Sequence, residues 1–144
     1  MKRLAFIFGL LIIIIIILAD TRHLGFLERL YDFPSGDKVG HFLVFGLFSL
    51  TVNLRTLETK FGSTIHNPSK QEYRRVAINT SLIISAFAGL EEFSQIWFPS
   101  RTASLFDLAA SCLGIASFAW LALRIKTRFR RLYILSVLFM DKLS

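Results

Sequence analysis

The chain has 144 residues, of which 53% are hydrophobic, 14% aromatic and only 19% charged. A mean hydropathy of +0.55, with charged residues well below the roughly 25% of soluble domains, excludes a disordered chain, a disulfide scaffold, a collagen-like repeat and most soluble enzymes. Seventeen Lys and Arg against ten Asp and Glu leave a net charge of +7. In so apolar a chain, the position of those charges matters more than their sum. The composition predicts an all-α, polytopic membrane protein.

A hydrocarbon layer about 30 Å thick takes roughly 17–25 mostly apolar residues in helical form. Four segments meet or approach that length, so a four-helix transmembrane bundle is expected, with spans near 4–19, 39–54, 76–98 and 105–123. The first contains an unbroken run of isoleucine from Ile12 to Ile17. It also reads as a signal peptide, because Lys2 and Arg3 precede it and Ala19 suits a cleavage position; the length of its apolar run and the bulk of Ile17 favour a retained span. Residues 20–37 carry Leu24, Leu27 and Leu30 at helical spacing, which predicts a short helix lying in the interface. Pro34-Ser35-Gly36 then breaks the chain, and Asp37 is placed to cap the second span. The loop 55–75 is polar. The single cysteine, Cys112, lies in an apolar run and is expected to pack there, with no disulfide to form. Residues 124–144 form a basic, amphipathic tail: Arg124, Lys126, Arg128, Arg130 and Arg131 precede an apolar run too short to cross.

Cations set the orientation. With the N-terminus inside, the inner segments 1–3, 55–75 and 124–144 hold thirteen Lys and Arg, while the outer ones keep only Arg22, Arg29, Lys38 and Arg101. Both termini are therefore expected in the cytoplasm of a multi-pass plasma (inner) membrane protein. The basic excess is accounted for by topology and by anionic lipid at the inner face. No nucleic-acid partner is implied.

A charge at the bilayer centre costs at least about 2.5–3.5 kcal/mol, so ionisable groups within spans are candidates for function. Here they share one depth. Asp37, Lys38 and His41 fall at the outer end of the second span, Glu92 and Gln95 in the outer third of the third, and Asp107 and Ser111 in the outer turns of the fourth. Arg101 sits in the outer loop between the last two spans. Asp37/His41 and Glu92/Gln95 are i,i+4 and i,i+3 pairs, each on one helix face. Asp107, Ser111 and Gly114 follow another face with Ala110 and Ser117, small residues that let helices approach closely. Glu91 and Glu92 lie about 100° apart around the helix, which predicts different roles for them.

Asp37-Lys38-x-x-His41, Glu92-x-x-Gln95-x-x-x-Pro99-x-Arg101 and Asp107-x-x-x-Ser111-x-x-Gly114 together resemble the VanZ-like family of small bacterial membrane proteins. The resemblance covers roughly residues 37–123. It implies a four-span helical membrane protein of the cell envelope, and the founding member's association with teicoplanin resistance implies a link to antibiotic resistance. Two positions depart from the family pattern. Ser111 stands where Asn is usual, and Phe45 where Tyr is common.

The outer cluster admits two readings: a packing device that pins the third span to the fourth, or a binding site. As a site, Arg101 is the natural anion binder, Lys38 adds charge, Asp37 orients His41, Gln95 positions a ligand, and Asp107 and Ser111 complete the lining. An accessory factor recognising an anionic lipid headgroup, a lipid-linked envelope precursor or a glycopeptide-type antibiotic is the leading expectation. The alternative is a membrane hydrolase or transferase acting on a lipid phosphate or sugar, with Glu92, His41 or Asp107 as the catalytic candidates. Proton-coupled transport is a third reading, for which the inner halves of the spans supply little beyond Asn53, Asn79 and Thr80. Asp37, His41, Glu92 and Asp107 are all metal-ligand types, but no compact ligand motif is visible, so no metal and no cofactor is expected.

Overall fold

The structure is a computed structural model that describes Leu10 and residues 35–62, 68–97 and 103–141, the side chains as far as residue 129. The expected first span, the interfacial helix before Ser35, and Arg101 lie outside the described residues, Leu10 apart. Those residues form three long helices: α1 (Gly36–Phe61), α2 (Lys70–Ser94), continued by a 3-10 turn (Gln95–Trp97), and α3 (Leu105–Asp141). All three are long and apolar enough to cross a membrane.

Local sequence explains where the helices begin. Ser69 starts α2 with a reciprocal capping box: its hydroxyl accepts the Glu72 N–H at 3.2 Å, and the Glu72 carboxylate accepts the Ser69 N–H at 2.7 Å. The chain enters α1 differently. Ser35 takes a left-handed conformation, φ 75°, and its side chain makes no capping bond. Asp37, expected as the cap, instead stands inside the first turn, where its charge complements the helix dipole. α3 continues well past the expected boundary at residue 123 because no Gly or Pro follows Gly114 before its end. The basic segment from Arg124 is therefore a continuation of the same helix, about 55 Å long in all.

Pairwise contacts give the topology. Lys38 meets Asp107, and Gly46 lies against Phe118, so α1 and α3 run parallel. Phe61 packs on Tyr73, while Asn53 reaches Ser81, so α2 runs antiparallel to α1. A core of Phe45, Ile84, Ala88 and Ile115 joins all three. α1 and α3 approach so closely at Gly114 that a Cβ there would collide with the Phe42 carbonyl. The small-residue face runs through Asp107, Ser111, Gly114, Ala119 and Ala122, all buried, whereas Ser117 points outward. Cys112, expected to pack, is also exposed.

The distribution of polarity is the reverse of a soluble bundle. Ser49, Asn53, Glu92, Gln95, Asp107 and Ser111 are buried, while Leu82, Ile83, Phe87 and Leu90 on α2 and Leu113 and Trp120 on α3 are exposed. Exposed apolar surface on this scale needs a non-aqueous neighbour. Within the bundle, the Ser49 hydroxyl donates to the Ile115 carbonyl at 3.0 Å, and Asn53 Nδ2 donates to the Ser49 carbonyl at 2.9 Å and hydroxyl at 3.1 Å. Of these, the Ser49–Ile115 bond crosses between helices, and such bonds contribute about 0.6 kcal/mol and at most about 1.7 kcal/mol in membrane proteins. Ser49→Ala is therefore expected to lower stability in micelles by that amount, read from the denaturant midpoint; a larger loss would mean that the whole Asn53 network collapses with it.

Seventeen residues separate Lys38 from Arg55, Arg75 from Glu92, and Asp107 from Arg124. At the helical rise that is about 26 Å in every helix, close to the hydrocarbon thickness of about 30 Å. Arg124 lies over the Trp120 ring at 4.6 Å, an aromatic–cation pair suited to an interface.

Candidate functional site

The polar residues at the α1 N-terminus, the α2 C-terminus and the α3 N-terminus converge at one end of the bundle. Lys38 Nζ lies 3.2 Å from Asp107 Oδ1. The Lys38 side chain keeps 41% of its exposure, and that of Asp107 only 11%, so the ion pair sits at the rim with its ammonium able to reach outward. One helical turn deeper, His41 Nδ1 lies 3.3 Å from the Ser111 hydroxyl. The imidazole also stacks on the buried Phe45 ring, centroids 6.2 Å apart and planes 9° from parallel. This pairing places His41 under the control of α3, while Asp37, expected to orient it, is exposed on α1.

α2 closes the site. Glu92 is buried, 5% exposed, and one of its carboxylate oxygens accepts the Ser104 N–H at 2.5 Å. Ser104 immediately precedes α3, and its carbonyl accepts the Asp107 and Leu108 N–H groups. Glu92 thus ties the end of α2 to the start of α3 through the backbone. Its other oxygen, Oε2, is buried with no hydrogen-bond partner among the described residues. The buried Gln95 donates from Nε2 to Glu91 Oε1 at 2.8 Å. Its side chain therefore serves Glu91, its i−4 neighbour, and not Glu92, with which it was expected to share a face.

Glu91 is the residue that sequence reasoning set apart. A ligating atom of His41, one of Glu91 and one of Glu92 all lie within 4.8 Å of one another. An angle of about 100° at the helix surface separates the two Cβ atoms, but a glutamate reaches several ångströms beyond its Cβ, so both carboxylates can turn towards one imidazole. The available signal was the spacing Glu91-x-x-x-Gln95, an i,i+4 pair that fixes the direction of the Glu91 carboxyl. Of the expected site residues, Lys38, His41, Glu92, Gln95, Asp107 and Ser111 are brought together, Asp37 lies beside them on the surface, and Arg101 is outside the described residues.

The chain matches no family model and no solved structure. It is similar to an uncharacterised protein of the fission yeast Schizosaccharomyces pombe, 36% identical over 105 residues, which cover 72% of this chain and 56% of that protein. The chain thus aligns with little more than half the length of this curated relative.

Proposed function

We propose that the protein is an integral membrane protein of the VanZ-like kind, an accessory factor whose polar end binds the headgroup of a phosphate-bearing lipid or amphiphile. The observation that carries this reading is the convergence of Lys38, His41, Glu91, Glu92, Asp107 and Ser111 at one end of three helices whose flanks are apolar and exposed. A headgroup seated there would leave its tails along the bundle's sides. The positive-inside distribution of Lys and Arg supports an outward-facing site with the C-terminus in the cytoplasm.

The test is lipid retention. Native mass spectrometry of the purified chain, titrated with phosphatidic acid and with a neutral diacylglycerol, should show selective binding of the phosphate-bearing lipid. Lys38→Ala should weaken it several-fold while the helical circular dichroism stays unchanged. Equal retention of both lipids, or loss of the folded protein in Lys38→Ala, would favour the packing account. The convergence of an imidazole with two carboxylates also suits acid–base chemistry, so a second reading is a membrane hydrolase or transferase with His41 or Glu92 in that role. Turnover of a labelled phospholipid by the purified chain would establish it.

A further inference from the structure

Among the described residues, Lys38 is paired with Asp107, and Glu92 has no ion pair. Glu92 is buried, and its Oε2 makes no hydrogen bond among the described residues. Burying a carboxylate oxygen that no group compensates is costly. Each member of the trio with His41 is nevertheless held in place from behind. Ser111 engages His41 Nδ1, Gln95 donates to Glu91 Oε1, and the Ser104 N–H bonds a Glu92 oxygen. Such outer partners orient side chains that bind metal and set which atom faces the ion. With Nδ1 engaged, Nε2 is the nitrogen left to ligate.

We propose that His41, Glu91 and Glu92 bind a divalent transition cation of the zinc class, with at least one coordination position open. One imidazole nitrogen and two carboxylate oxygens form a mixed N,O set that suits Zn2+, and three protein ligands plus an exchangeable one is the pattern of open zinc sites. Tetrahedral bonds of about 2.0–2.1 Å space the ligand atoms roughly 3.3 Å apart, and one ligating atom from each of the three residues already lies within 4.8 Å of the others. The cation would occupy the side of Glu92 where Oε2 lies. It would offset the buried Glu92 carboxylate and present a positive centre to a phosphate or water in the open position. The metal site belongs to the same polar end as the proposed headgroup site but does not depend on a lipid being the ligand.

The experiment uses the full chain, stripped with chelator and purified in a detergent that carries no phosphate, with Zn2+ as the only added probe. Equilibrium dialysis should give about one Zn2+ per chain, and Co2+ in its place should show the visible absorption bands of a low-symmetry site. Glu92→Gln keeps an oxygen for the Ser104 N–H and should weaken Zn2+ binding at least tenfold, as should His41→Ala. Ser111→Ala, which removes only the partner of Nδ1, should weaken it by about 10–100-fold. Glu58→Gln, at the opposite end of α1 beside Arg55, should bind as the wild type does. Weak, non-saturating uptake by the wild type, or unchanged uptake in the His41→Ala/Glu92→Gln double variant with unaltered helical circular dichroism, would overturn the proposal. Lipid retention by metal-free protein would keep the headgroup reading while removing the cation from it.

Discussion

Gly114→Ala should lower the stability of the bundle by about 2 kcal/mol, and Gly114→Val should prevent α1 and α3 from packing. The added methyl group meets the Phe42 carbonyl, with the Phe42 carbonyl carbon at 3.0 Å. That obstacle is backbone and cannot rotate away. Overpacking of this kind costs about 1–3 kcal/mol even where side chains can shift, and here the helices themselves must separate. The gain in helix propensity on replacing Gly, about 1 kcal/mol, is already counted in the net figure. Gly89 supplies the internal comparison. It lies within α2 with nothing within 4 Å of its would-be Cβ, so Gly89→Ala should be neutral or stabilise by up to about 1 kcal/mol. The two variants, followed by denaturant titration in mixed micelles, should move the midpoint in opposite directions. Equal midpoints would contradict the close approach of α1 and α3.

Glu92→Ala should destabilise by about 2 kcal/mol, with Glu92→Gln costing less than half as much. The carboxylate accepts the N–H of Ser104, the residue whose carbonyl starts the hydrogen-bond pattern of α3. A hydrogen bond to a charged group contributes about 1.5–3 kcal/mol. Its removal leaves the N–H of Ser104 unsatisfied beside a helix end. A glutamine in place of Glu92 would keep an acceptor but lose the charge. The pair of variants therefore separates two roles that a single deletion confounds: anchoring the α2–α3 connection, which the amide preserves, and supplying negative charge to the site, which it does not. Thermal melts followed by circular dichroism would resolve them. Equal losses for both variants would show that the charge and not the hydrogen bond carries the stability.

Much of this arrangement is legible without any coordinates. Long apolar runs mark α1, α2 and the first part of α3, because a helix must satisfy its own backbone in an apolar medium. The depth shared by Lys38, His41, Glu92 and Asp107 marks one end of the bundle as polar. What sequence spacing does not supply is the identity of partners across helices. His41 is i+4 from Asp37, yet it binds Ser111, seventy positions later, because α1 and α3 run parallel at the distance of a glycine contact. The angular position of Glu91 separates it from Glu92, although the length of its side chain overrides that angle. The apolar stretch of α3 stops at Leu123 and so understates the helix, since Arg and Lys are good helix formers and no Gly or Pro interrupts them.

The long α3 has a mechanical consequence. Its tightest contact, at Gly114, lies only seven residues from Asp107 but twenty-seven from Asp141, about 10 Å against about 40 Å along the axis. A straight rod rocking on that fulcrum has unequal arms. Displacing the far tip by about 4 Å would swing Asp107 by about 1 Å in the opposite sense, enough to open or close its reach to Lys38. Displacements of the arginine-rich arm would thereby be geared down into small, stiff adjustments at the opposite end of the helix.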